Sequence, residues 1–349
     1  MMSSLAIALL CAAAPPLPTA KPMGGARLFP IDPVAIIDEG ARKEGEITRE
    51  ITHGDLRYRF ATDAAQKAFA ANPTKYALAM SGSCARMGPL SGSCSLERSE
   101  VVEGKLYVFA SDACCATFLK SPHDYLEPIE APVKANDEGR TLAKRSRAWM
   151  RAERLPPTGV VLTSRRRETE NDADAIVRVE HRVGPRLSFG ELSAWSESVW
   201  WMKADFANPL PSGVKLSNVS AGATLDANQL HALRREAMFE PVFLVSVFGT
   251  ADAMLRADAT HEWTIGDESI SGLLLTTHWH GVTVEWLVDE VNGEPLAQRA
   301  KQRLKDGRIA VETERFESWS AINDALVPLT RRSNDSEVKF DAVEVLGSH

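Results

Sequence analysis

The 349-residue chain has no excess of positive charge, no apolar run long enough to span a membrane, none of the short signatures of common catalytic sites, and no cysteine after position 115. Each absence excludes something. Lys and Arg number 40 against 47 Asp and Glu, a formal charge of −7; nucleic-acid binders ordinarily carry a basic footprint, so nucleic acid is not an expected partner. A spanning helix needs about 20 apolar residues, and nothing in the mature chain approaches that. The patterns G-x-x-x-x-G-K-[ST], G-x-S-x-G, H-E-x-x-H and G-x-G-x-x-G do not occur. The phosphate cradle, nucleophile elbow, zinc helix and dinucleotide turn that they encode are therefore not expected, and the chain reads as non-enzymatic. What is present is an ordinary folded composition, 44% hydrophobic and 25% charged, at a length that suits two domains.

The first twenty residues read as an export signal. Leu5 to Ala14 is a short apolar run, followed by prolines and small residues up to Ala20, the order of an h-region and its cleavage site. Residues 1–20 are thus assigned to a signal peptide and the mature protein to the periplasm or the exterior. The n-region has no Lys or Arg, and Cys11 follows Leu9 and Leu10 instead of the small residue a lipoprotein signal wants, so a lipid anchor at Cys11 is not expected. Between Arg140 and Arg154 lie six basic residues and one acid, and Arg165, Arg166 and Arg167 follow. These read as a solvated helix face and an exposed turn, or else as a contact for anionic lipid or a partner.

Between about residues 54 and 126 the chain repeats itself. Phe60 is followed by Phe69, Pro73 and Tyr76 at offsets of 9, 13 and 16, and Phe109 by Phe118, Pro122 and Tyr125 at the same offsets. Leu56, Tyr58 and Phe60 alternate with Arg57 and Arg59, the period of a half-buried strand. Asp63 and Asp112 are placed to cap a helix whose inner face carries Phe69 or Phe118 and which Pro73 or Pro122 stops. Each copy is expected to be strand, turn, helix and tyrosine anchor, the two strands able to pair.

The blocks Asp32-Pro33-Val34-Ala35, Tyr58-Arg59-Phe60, Phe69 through Tyr76, Gly82-Ser83-Cys84 and Gly104-Lys105-Leu106-Tyr107 resemble, in order and spacing, the YHS-domain family over residues 28–127. The resemblance implies heavy-metal binding. Ser83 stands where the family commonly has an aromatic residue, and Cys94, Cys114 and Cys115 are additions to its pattern.

Residues 128–157, opening on Pro128 and Pro132, read as a linker and basic helix, and residues 158–349 as a sheet domain. Val177, Val179, His181 and Val183 alternate with charged residues, as do Val282, Val284, Trp286 and Val288, and Ile309 with Val311. This is the pattern of antiparallel strands with one wet face, interrupted by a helical segment from Asp226 to Glu240. Val284 through Leu296 with its Gly293-Glu294-Pro295-Leu296 turn, Gly307 to Val311, Phe316 to Trp319, and Leu230 to Glu236 followed by Pro241 resemble the outer-membrane lipoprotein-carrier (LolA-like) family. That implies an incomplete barrel with a hydrophobic cavity. The expected class is α+β: a small two-repeat strand-helix module, then a curved antiparallel sheet with helices.

Three groups of side chains are candidates for function. Cys84, Cys94, Cys114 and Cys115 fall within 32 residues. In an exported chain an even set favours disulfides. Adjacent cysteines, about 3.8 Å apart at Cα, would strain a bond between themselves, so Cys84 or Cys94 with one of the pair is the easier bridge. The alternatives are a thiolate site for copper or zinc and free, redox-active thiols. His278 and His280 would share a strand face and could hold zinc, but the run Val282, Val284, Trp286 on the same parity makes that face an apolar wall. Trp200, Trp263, Trp279 and Trp286 are candidates to line a cavity for an acyl chain, although large aromatics are above all core residues. The expectation is an envelope binding protein, with a hydrophobic ligand or lipoprotein in the sheet domain and a metal or an envelope protein partner on the small module. The alternatives are a copper or zinc carrier or sensor, and a thiol-disulfide redox protein.

Overall fold

A computed structural model describes residues 26–54, 56–91, 94–155, 160–170, 173–183, 201–203, 214–216, 227–304, 306–334, 337–340 and 342–345. The signal at 1–20, Cys11 and Trp200 lie outside the described residues.

The N-terminal module opens with β1 (Arg27–Phe29), then β2 (Glu46–His53), β3 (Leu56–Phe60), α1 (Asp63–Ala71) and the single turn α2 (Pro73–Tyr76). It continues with β4 (Ser99–Val102), β5 (Lys105–Val108) and α3 (Asp112–Lys120). Strand β3 lies centrally, parallel to β1 and antiparallel to β2, and β4 pairs with β5 in a separate hairpin. The two repeat strands therefore sit in different sheets, and the segment between the repeats runs along β5 through isolated bridges, Leu78 to Leu106 and Cys84 to Val108. The repeat itself is plain. Phe69 and Phe118, 49 residues apart in sequence, are fully buried. Phe69 packs on Tyr58 and Phe60, and Phe118 on Tyr107 and Phe109. The helix caps are Thr62 and Ser111, one residue before the aspartates expected in that role. Each hydroxyl accepts from the backbone N–H three residues on, Ala65 or Cys114. Asp63 and Asp112 occupy the first helical turn and pair with Arg49 and Arg98, where a carboxylate also favours the helix dipole.

The second module contains α4 (Asp137–Trp149), β6 (Val160–Glu170), β7 (Ala173–Val183), β8 (Trp201–Lys203), β9 (Val214–Leu216), α5 (Ala227–Met238) and α6 (Pro241–Val247). It ends with β10 (Met254–Ile265), β11 (Glu268–Trp279), β12 (Val282–Val288), β13 (Pro295–Arg303), β14 (Ile309–Ile322), β15 (Ala325–Arg332), β16 (Glu337–Lys339) and β17 (Ala342–Val345). Strands β10 to β16 follow one another in an open, curved antiparallel sheet that does not close into a barrel. A five-stranded sheet runs β17-β6-β7-β8-β9, so Arg165, Arg166 and Arg167 lie within a strand and not in a turn. Among the described residues, no helix is long and apolar enough to cross a membrane.

The alternation that marked β12 puts Val282, Val284, Trp286 and Val288 on one face, where α4, α5 and α6 cover them. Helix α4 belongs to this core: Leu142, Ala143 and Met150 are buried in it. The segment expected to be a linker is also tied down. Glu130 N–H donates to Gly281 (2.9 Å), the Thr283 N–H donates to the Glu130 carboxylate (2.6 Å), and the Pro128 carbonyl meets His231 Nε2 at 2.7 Å.

Candidate functional site

Two elements bring cysteines together in the N-terminal module. The first is the chain from Ala79 to Gly88. Met80, Ser81 and Gly82 all take left-handed backbone angles, with φ of 56°, 49° and 74°. Such angles cost a non-glycine residue of order 1–3 kcal/mol and persist only where the surroundings enforce them. Here Met80 is fully buried among Tyr107, Phe109, Phe118 and Tyr125, and the buried Ser83 hydroxyl donates to the Pro89 carbonyl at 3.0 Å. The reversal delivers Cys84 alongside Val108, where the Ala85 N–H donates to the Val108 carbonyl (3.0 Å). Cys84 is then fixed from three directions: its carbonyl accepts from Met87 and Gly88, and its Sγ accepts from Ala110 N–H at 3.4 Å.

The second element is the first turn of α3. The Ser111 cap starts the helix immediately after β5, which places Cys114 in the first turn with its N–H on the Ser111 hydroxyl (3.1 Å). Cys84, its sulfur on the Ala110 N–H just before the Ser111 cap, lies beside this helix start, and the Arg86 guanidinium, two residues beyond Cys84, donates to Cys114 Sγ at 3.9 Å. Burial opposes ionisation of Cys114, yet the neighbouring Ser111 hydroxyl, Arg86 guanidinium and Cys84 thiol outweigh it and hold the thiol below its ordinary value. A positive group beside a cysteine in the first turn of a helix is the usual origin of a reactive, ligating thiolate.

The other two cysteines are different. Burial pushes the Cys94 thiol up to about 11; its S–H donates to the Gly82 carbonyl (3.5 Å) and it packs on the first repeat's core. Cys115, one residue round the helix, is raised by burial and then by the carboxylates of Glu100 and Asp112. All four described cysteines are free thiols, where the sequence favoured disulfides. The spacing had offered Cys84 or Cys94 with one of the adjacent pair, and it is Cys84 whose loop lies against the helix turn that carries Cys114. Among the described residues, no three His, Cys, Asp or Glu side chains are grouped so as to hold a metal ion.

The histidines do not share a face. Strand β11 ends at Trp279, and His280 (φ 48°) with Gly281 (φ 83°) forms the two-residue hairpin turn. Both positive angles suit the turn type that joins tightly paired strands, and the reversal breaks the parity read across positions 278 to 286. His278 is buried opposite Thr283, Nδ1 to Oγ1 3.0 Å, and His280 Nε2 meets Asp252 at 3.0 Å. The tryptophans do not converge either. Trp279 packs on Phe243, and Trp286 on Phe248 and Phe316, in the helix-covered core. Trp263 lies in a separate cluster with Ile265, Leu274 and Leu287. Leu275 pairs with Trp286 and Leu274 with Leu287, so strand alternation puts the two clusters on opposite faces.

Sequence reasoning missed Arg86. The only signal for it was its place two residues after a cysteine. No family model, no curated protein and no solved structure matches the chain.

Proposed function

We propose that this chain is an exported, non-enzymatic binding protein whose small module takes a soft metal cation, copper(I), through the sulfurs of Cys84 and Cys114. The observation that carries this reading is the Arg86 guanidinium on the Cys114 sulfur, from the same loop that sets the Cys84 sulfur against the start of that helix. Soft thiolates select copper(I), and copper(I) accepts two sulfur donors, whereas a structural zinc site closes around four nitrogen or sulfur ligands. Two thiolates around a monovalent cation leave one net negative charge, which the fixed positive charge of Arg86 balances. The resemblance of residues 28–127 to the YHS-domain family points the same way.

In this reading the sheet domain, with its resemblance to lipoprotein carriers, is the scaffold on which the module docks. The alternative, an apolar ligand held among the tryptophans, gains no support from their positions on opposite faces. The test is titration of the anaerobically reduced full chain with copper(I) against a chromogenic chelator. One ion per chain is expected, lost in Cys84→Ser and in Cys114→Ser and kept in Cys94→Ser and Cys115→Ser. No uptake, or uptake that depends on Cys94 or Cys115, would overturn the proposal.

A further inference from the structure

We propose that Cys84 and Cys114 form a reversible disulfide, which makes the pair a redox-controlled site that closes by exchange with a small-molecule disulfide. Cys84 sits on a pinned loop with its sulfur against the Ala110 N–H, and Cys114 lies in the helix turn that starts at Ser111, with Arg86 of the same loop on its sulfur, so a bond between them avoids the strain of adjacent cysteines. Their exposures differ in a useful way. Cys84 is buried, with its sulfur on the Ala110 N–H, whereas Cys114 is only partly covered. Cys114 is therefore the sulfur that an incoming reagent reaches, and Arg86, hydrogen-bonded to it, is the cation that steadies the charge it carries as a nucleophile. Cys115 faces the carboxylates of Glu100 and Asp112, and Cys94 packs on the first repeat's core, where Arg27 donates to its carbonyl and its S–H is turned to the Gly82 carbonyl.

The chemistry proceeds in two exchanges. The Cys114 thiolate attacks one sulfur of the reagent RS–SR, forming a mixed disulfide and expelling RS⁻. Cys84 then gives up its proton and attacks Cys114 Sγ, expelling the second RS⁻ and leaving the intramolecular bond. The protein loses two electrons and two protons, and the reagent gains them as two thiols RSH. Dithiol reductants reverse both steps. Closure removes both thiolates at once, so a metal held by them would be released; that consequence alone rests on the preceding proposal.

The experiment treats the reduced, metal-free full chain with oxidised glutathione, then determines intact mass and maps the bond by proteolysis. Wild type is expected to lose two hydrogens, with the bond at Cys84–Cys114, and to recover them on reduction. Cys84→Ser is expected to stop at the mixed disulfide on Cys114. Cys114→Ser is expected to lose the reaction, while Cys94→Ser and Cys115→Ser close as wild type does. A bond mapped to Cys94 or Cys115, or folded wild type that forms no internal bond, overturns the inference. Should Cys84→Ser not fold, the wild-type map decides alone. Reduced protein that takes copper(I) but never closes sinks this inference and spares the metal reading; closure without copper uptake does the reverse.

Discussion

Gln298 stands at the centre of a polar network in the sheet domain. Its amide oxygen accepts from Trp286 Nε1 (3.2 Å), and its nitrogen donates to the Phe239 carbonyl (2.7 Å) and to Glu314 (3.0 Å). Arg331 grips Glu240 with both guanidinium nitrogens, at 3.0 and 2.7 Å. Glu240 already holds the cation, so Glu314 shares Arg331 with it, and burial pushes the Glu314 carboxyl up to about 7. The consequence for stability has a definite sign. The unfolded chain ionises Glu314 near 4.5, while the folded chain keeps it protonated to higher pH. Its contribution is therefore fully present below about pH 4.5 and is lost as pH rises to about 7. Replacing it with glutamine keeps an acceptor for Gln298 and removes the ionisation. Glu314→Gln is expected to equal wild type near pH 5 and to exceed it by up to about 3 kcal/mol above pH 7. Urea unfolding at a series of pH values reads this directly; a difference that does not change with pH would show that Glu314 ionises normally.

Among the elements, α4 shows how far local pattern reaches. Asn136 caps it, its Oδ1 accepting from Gly139 N–H at 2.8 Å, and the same side chain pairs with Ala257 of the edge strand β10, accepting from its N–H and donating to its carbonyl, both at 2.9 Å. The helix start thus satisfies backbone groups that an edge strand otherwise leaves open. Asn136→Ala is expected to cost about 2–3 kcal/mol in denaturant unfolding, and Asn136→Asp, which keeps the acceptor and loses the donor, about half that. Asn136→Asp as stable as wild type would mean that the donation to the strand adds nothing. In sequence this stretch read as a linker and basic helix and not as part of the core, because the four basic residues between Asp137 and Trp149 obscure the few apolar ones. Gly139 is there because a Cβ would lie 2.5 Å from the Leu255 backbone, a distance no local pattern carries. Where a feature is local it was legible: the repeat aromatics, the strand alternation of β12 and the helix stops at Pro73 and Pro122. Caps slipped by one residue because Thr-Asp and Ser-Asp each offer two good capping side chains. The pairing of Cys84 with Cys114, and the part played by Arg86, depend on how a left-handed reversal meets a helix start, which spacing alone does not encode.

At the scale of the whole molecule, the thiol module and the sheet domain meet across a buried charge cluster. Glu127 lies between Arg235 of α5 and Arg303 of β13, with side-chain exposures of 3%, 4% and 15%. Arg303 also donates to the Tyr125 carbonyl (3.0 Å) and to that of Arg86 (3.5 Å), while Gln229 reaches the Pro89 carbonyl (3.3 Å). The loop that carries Cys84 and Arg86 is therefore clamped from the sheet side. Burial pushes both arginines down to about 10, the charge of Arg303 adds to it for Arg235, and Glu236 acts against it on both; both remain cations at neutral pH, with the Glu127 carboxyl set between them. Removing one partner of a buried cluster leaves uncompensated charge, at a cost of about 3–5 kcal/mol, whereas replacing the whole cluster with apolar residues of similar volume is often close to neutral. Glu127→Gln is expected to destabilise by that amount and to raise hydrogen exchange in residues 84–91, with less change in the distant strands β14 and β15. The triple replacement of Glu127, Arg235 and Arg303 by methionine is expected to recover most of the stability. If Glu127→Gln costs less than about 1 kcal/mol, the cluster is no better than an exposed salt bridge, and the thiol loop is held by its backbone contacts alone.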